Sequence, residues 1–436
     1  MIRASIQIGG ALWLLTFAHI LFPKLPLYAL MAILLVAFVA LALPRLARHS
    51  AILCTVLAAA TVGLGIAYGQ WEAILTGLTR SAIFPAFLAT IVLLRATAEQ
   101  RPEIARARSL FGALDRDRRD SGIVVGGLLI GSILQVGVFA ILAPILGRDA
   151  PEDERRDVFT TAVRGMSMVP FWSPFIVGMA VASQYLPLVP LWQIMSLGLC
   201  MSAVGILVSL VGFDRHGSFS ALWLSLKSFA PIAVPVVVAA LVVVGTTSAF
   251  GLSTLQALVM SLPVLCLAGV LQVRPDAIRP VAKQALDGLG RIGTETSILV
   301  FATTLGAIFE ASLPQTGILP WLESLQLPAA ATIFIVVMTM NIGGLFGLHA
   351  IVTGTFLLVI FTGIPTGVSD LMLMQALLAG WGLASGISIS SLSIATGSVM
   401  FRVSPTRLIP LKNIVYVFTL GAVVATILSA LNGLFV

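Results

Sequence analysis

The sequence predicts an all-α, polytopic transmembrane helical bundle of about ten to twelve spans, at about 20 residues per crossing. Three observations predict it. The chain of 436 residues is 58% hydrophobic and only 10% charged, whereas soluble globular domains are about one-quarter charged. Apolar runs of span length follow one another from end to end. The charges gather in short stretches between those runs, and no segment is polar and long enough for a separate soluble domain. The net charge of +7 then reads as loop charge of the positive-inside kind, with the lipid bilayer as partner and no nucleic acid.

Apolar runs place spans near 6–22, 26–43, 51–69, 81–97, 122–147, 190–213, 229–249, 252–273, 297–313, 370–400 and 411–435. The N-terminal run lacks a clean small-residue cleavage site and leads directly into a second span, so it reads as a retained helix. Cys54, Cys200 and Cys266 lie in apolar runs with no CxxC pair, which argues against disulfides and metal clusters. The polar stretch 95–121, rich in arginine, is expected in the cytoplasm. A second basic loop is expected at 274–291.

Two apolar regions, 158–188 and 327–366, are interrupted by Gly, Pro and polar residues. A shift of 176 lays Ser173–Gly178 on His349–Gly354. A shift of 170 lays Pro144 on Pro314. The chain therefore reads as N-terminal transmembrane helices (1–50), a first repeat (51–213), a second repeat (229–400) and a C-terminal helix (401–436). Each repeat is expected to carry a re-entrant hairpin or broken helix. Interrupted helices in corresponding halves point to a transporter's binding site, because their unpaired backbone groups are tolerated only where they line a cavity or meet protein or ligand.

Glu310 is the one carboxylate between Ser297 and Trp321. It reads as a proton or Na⁺ site, or as a structural acid. Gln135 lies near the corresponding place in the first half, either as an ion ligand or as an interhelical hydrogen bond. His349, preceded by Gly343, Gly344 and Gly347 and followed by Thr353, suits substrate or proton contact, since its unperturbed pKa is about 6.5; a packing role is the alternative. Asn341 is similar. Trp172, Ser173 and Pro174 form the first-half counterpart, with Ser173 and His349 expected to face one cavity. Arg164 reads as an interfacial anchor in preference to a substrate counter-ion. The hydroxyl-rich run Ser385–Ser398, including Ser388 and Ser391, suits either close helix packing or a polar pathway. There is no GxxxxGK[ST] phosphate loop and no HExxH zinc motif.

With its size and the interrupted segments MSMVPFWSP and NIGGLFGLHAIVTGT, the chain from about 51 to 400 resembles the ion transporter superfamily of secondary carriers, which includes citrate, divalent-anion and arsenite carriers. The Ser-Asn-Thr signature of the dicarboxylate branch is missing from both halves. The resemblance implies inverted repeats around a midplane site. Inversion would place 95–121 and 274–291 on opposite faces, yet both are basic. The function expected is secondary transport of a small anionic organic solute coupled to H⁺ or Na⁺. The protein is expected to lie in a bacterial inner (plasma) membrane, with no cofactor and no enzymatic activity, alone or as a homodimer. A cation/proton antiporter, a membrane subunit of a multi-protein transporter and a membrane-embedded assembly enzyme are the alternatives.

Overall fold

The computed structural model describes residues 2–103, 116–146, 149–214, 219–273 and 275–435. These residues are all-α, with no strand among them. Among the described residues ten helices are long and apolar enough to cross a membrane, which makes the chain a multi-pass helical membrane protein. Most of the polar stretch 95–121, namely 104–115, lies outside the described residues.

In chain order the first helices are α1 (Ile2–Leu21), α2 (Tyr28–Ala42), α3 (Arg48–Tyr68), α4 (Glu72–Ser81) and α5 (Phe84–Glu99). Next come α6 (Arg116–Leu134), α7 (Val138–Leu142), α8 (Glu152–Ser167), α9 (Val177–Tyr185) and α10 (Leu191–Gly212). The middle of the chain holds α11 (Phe219–Phe250), α12 (Thr254–Val273), α13 (Ile278–Leu289), α14 (Gly293–Thr316) and α15 (Ile318–Ser324). The last are α16 (Ala329–Leu345), α17 (Ala350–Thr362), α18 (Asp370–Ser385), α19 (Leu392–Phe401) and α20 (Leu411–Asn432).

They form two compact units that interleave along the chain. Unit 1 takes residues 1–100, 245–326 and 355–365, and unit 2 takes 101–244, 327–354 and 366–436. In unit 1 the order long helix, short helix, long helix occurs twice, as α3–α4–α5 and α12–α13–α14. The short helices cross-pair with the long ones: α4 packs on α14 and α13 on α5. Val281 of α13 is buried with Ala96 of α5 and Val270 of α12. The stretch 274–291, expected to be a loop, therefore contains an amphipathic helix whose apolar stripe needs a partner.

In unit 2 the recurrence is helix, break, short helix, long helix: α8–α9–α10, and again α18–α19–α20. A helical pair precedes each, with a one-turn 3₁₀ segment at Gln135–Gly137 between α6 and α7 and a tight turn at 346–349 between α16 and α17. The shifts of 176 and 170 do not follow this helix order. Those laid the α8–α9 break on the α16–α17 turn, and laid kinked α6–α7 of unit 2 on continuous α14 of unit 1. Apolar segments match one another in many registers, whereas breaks and turns are distinct objects. The stretch 370–400, expected to be one span, is instead the broken pair α18–α19.

Unit 2 is built around α18, which is buried nearly throughout its length and packs on α8, α9, α10, α16 and α20. Small residues permit this, as close helix approach requires. A Cβ at Gly382 would lie 2.1 Å from Ser167 O, and one at Gly344 of α16 would lie 2.8 Å from Ala384 Cβ. Gly178 of α9 and Gly354 of α17 both lie against the Trp381 ring, at 2.9 and 3.0 Å from a built Cβ.

Gly382→Ala forces its methyl group into a backbone carbonyl and is expected to cost about 1–3 kcal/mol. Gly10→Ala on α1, with nothing within 4 Å of the added carbon, is the control. Thermal unfolding in detergent should show a lowered midpoint for the first and little change for the second.

Candidate functional site

The break between α8 and α9 follows from Pro170 and Pro174, which cannot donate to a helical ladder. One 3₁₀ turn, Val169–Phe171, separates α8 from extended Ile176. The break's backbone carbonyls then need donors, and three side chains close on it. Gln135 Nε2 donates to Phe175 O at 3.0 Å, and Gln375 Nε2 donates to Phe171 O at 3.2 Å. Ser173 Oγ donates to Ser132 O at 3.2 Å and accepts from Phe175 N at 3.4 Å. Gln135 itself holds a left-handed backbone, φ +50°, which re-aims its side chain at the break. Pro174 and Trp172 are buried here.

The break between α18 and α19, residues 386–391, contains no proline. Serines supply the alternative pairing that competes with a helix. Ser391 caps α19 by accepting from Ile394 N at 3.2 Å, and the Ser388 and Ser390 hydroxyls are 2.9 Å apart. Gly386 O, at the end of α18, accepts from Asn413 Nδ2 at 3.1 Å. The α16–α17 turn comes to this break: Gly347, at φ +78°, lies against Ile389. A positive φ of this kind is open to glycine without steric cost. His349 opens α17 and accepts from Ile351 N on Nδ1 at 3.3 Å. Thr353 faces Gly343 across the hairpin.

The sequence-predicted residues thus separate into two groups. Gln135, Trp172, Ser173 and Pro174 gather at the first break. His349, Ser388 and Ser391 belong to the second break and its turn. The hydrogen bonds of Ser173 run to Ser132 and Phe175, so it holds the first break together. Asn341, fully buried on α16 against Gly421 of α20, has no hydrogen-bond partner for either amide atom among the described residues, and the Trp172 indole N–H has none either. An unpaired buried polar group costs about 1–3 kcal/mol, so both mark places where a ligand, ion or water would complete the pairing.

Two charged residues differ from expectation. Glu310 is not alone. Arg80 of α4 donates to it at 2.6 Å, and both side chains are exposed, at 39% and 45%. The equivalent place in the other half of unit 1 holds Gln284 of α13 donating to Glu99 of α5. The premise for a coupling role at Glu310, an isolated acid in hydrocarbon, does not hold, because the partner comes from a helix 230 residues away. Arg164 is no interfacial anchor. It is buried on α8, with Nη1 on Asp214 Oδ1 at 2.9 Å and Phe213 O at 3.3 Å, Nε on Asn413 Oδ1 at 3.4 Å, and the Phe213 and Tyr416 rings beside it. Burial pushes the Asp214 carboxyl up to about 6, against the pull of Arg164 and of the Ser209 hydroxyl. Asp214, Asn413, Gln375 and Trp381 escape a reading of the sequence. Only Asp214, an acid directly after a span, leaves a trace there.

Unit 1 holds a separate cleft of about 590 Å³ between α5 and α13, with Arg95, Lys283 and Arg291 balanced by Glu99, Asp287 and Glu295. Set beside known families and curated proteins, the sequence matches no family model and no curated protein.

Replacing Gln375 by Leu leaves Phe171 O without its donor and is expected to destabilise the fold by about 1–3 kcal/mol, read as a lowered unfolding midpoint. Arg80 and Glu310 both lie on candidate membrane spans, where an unpaired charge is costly. Arg80→Glu and Glu310→Arg should each lower the midpoint, and the double exchange should restore much of it.

Proposed function

We propose that the protein is a secondary active transporter of a small organic anion, coupled to H⁺ or Na⁺, seated in a bacterial inner (plasma) membrane. Its solute site lies at the broken helices of unit 2. One observation carries the reading: unit 2 holds two interrupted helices, and each interruption is met by the kink or turn of the helical pair that precedes it. Backbone opened in this way is the usual material of carrier sites. The half-helices α9 and α19 direct their N-terminal, positive ends at the breaks, which favours an anion. The unpaired amide of Asn341 and the indole N–H of Trp172 supply further polar capacity in the same unit.

The reading places the chain with the ion transporter superfamily, with inverted repeats related through α3–α5 and α12–α14 and through α6–α10 and α16–α20. The departure from that group is at the turns. They carry Gln135-Val136-Gly137 and Phe346-Gly347-Leu348-His349, and neither half contains Ser-Asn-Thr. A dicarboxylate is therefore not the first solute to test.

The test is reconstitution of the full chain in liposomes with a panel of labelled monocarboxylates, dicarboxylates and inorganic oxyanions. Uptake is driven by an imposed pH or Na⁺ gradient without nucleotide. Accumulation that collapses with the gradient is expected for at least one anion; no gradient-dependent accumulation across the panel would retire the reading. For the transported anion, His349→Ala is expected to lower uptake about tenfold, a loss of about 1.4 kcal/mol, with folded yield unchanged.

A further inference from the structure

Arg164 and Asp214 form the least exposed ion pair among the described residues, with side chains 3% and 1% accessible. Both carboxylate oxygens are engaged: Oδ1 by Arg164 and Oδ2 by the Ser209 hydroxyl at 2.9 Å. Arg164 stands one turn before the end of α8, where the first break begins. Its Nε meets Asn413 Oδ1, and the other end of the same amide donates to Gly386 O at the second break. Ser167, the last residue of α8, also lies against Gly386, with its Oγ 2.5 Å from where a Cβ would stand. Asp214 thus reaches the carbonyl end of α18 through two side chains.

We propose that Asp214 is the proton-binding carboxylate of the carrier, and that Arg164 and Asn413 transmit its protonation state to the helix break at Gly386. The inference rests on the transporter reading for its purpose, and on the hydrogen-bond chain for its mechanism. An ionised carboxylate only accepts hydrogen bonds, whereas a protonated one carries a donor, and Arg164 has nothing with which to accept. Protonation therefore weakens the pair and leaves Arg164 to its neutral acceptors, Phe213 O and Asn413 Oδ1. Asn413 is drawn toward the guanidinium, and Gly386 O loses its donor. A helix-end carbonyl released in this way takes another partner.

Among the described residues, the groups facing Asp214 come from four helices. Arg164 on α8, Ser209 on its own helix α10 and Lys412 on α20 favour the ionised form, while Asp120 on α6 disfavours it. Tyr416 on α20 lies against the Arg164 guanidinium. With burial the largest influence, the carboxyl is pushed up to about 6, and the folded chain is expected to take up a proton there as pH falls through that value.

The test uses purified full-length protein and needs no solute. Infrared difference spectroscopy should show a protonated-carboxyl band that grows as pH falls through about 6 in the wild type and is missing in Asp214→Asn. Hydrogen exchange, corrected for intrinsic rates, should show protection at 386–391 falling by about tenfold between about pH 8 and about pH 5. Asp214→Asn should exchange at both pH values as the wild type does in acid. Asp214→Glu, which keeps the charge, should retain the response and serves if the Asn variant does not fold. Asn413→Leu should keep the infrared titration and lose the response at 386–391. Persistence of the band in Asp214→Asn, or of the exchange response in Asn413→Leu, overturns the proposal. If no anion of the panel is moved while both readouts behave as expected, the carrier reading fails and the proton relay is upheld.

Discussion

Everything in unit 2 depends on how two interrupted helices satisfy their backbone. A continuous helix in an apolar layer pairs its own N–H and C=O groups. An interrupted one exposes carbonyls and amides that need donors and acceptors brought from elsewhere. This chain supplies them as side-chain amides and hydroxyls: Gln135 and Gln375 at the first break, Asn413 and Ser391 at the second. The two breaks have different local causes. Proline enforces the first, and serine competition permits the second.

Bringing those donors into place requires close packing, and the small residues of α16, α18 and α20 provide it. Gly382 sits on the Ser167 carbonyl, Gly344 on Ala384, and Gly421 on the amide of Asn341. The two large residues admitted to this packing, Trp381 and Arg164, are each matched to their surroundings. Trp381 lies between two glycines, and Arg164 lies between two aromatic rings with its charge met by Asp214. A buried ion pair of this kind is weak evidence for stability, since desolvation offsets much of its attraction. Its placement between the two breaks is what makes it informative.

Unit 1 solves a simpler problem with pairs of side chains between helices. Its short helices α4 and α13 each reach across to a long helix of the other half, through Arg80 to Glu310 and through Gln284 to Glu99. A long, short, long helix order occurs twice in unit 1, and a broken helix followed by a long helix occurs twice in unit 2.

The sequence by itself determined the all-α class, most of the span positions, the break within 158–188 and the irregular turn within 327–366. Hydrophobic runs and Pro/Gly punctuation are local properties, and they survive into the structure. The sequence also singled out Ser173 and His349 within those two regions, and Gln135, Ser388 and Ser391 within runs that read as spans. Only the tertiary structure decided their company. Glu310 reads as isolated along the chain because Arg80 lies 230 positions away. Arg164 reads as an anchor because its partner Asp214 lies 50 positions away. The break at 386–391 is hidden inside an apolar run because serine and glycine pack as readily in a straight helix as in a loosened one. In each case the deciding partner is distant in sequence, and no local pattern of residues specifies a contact between helices.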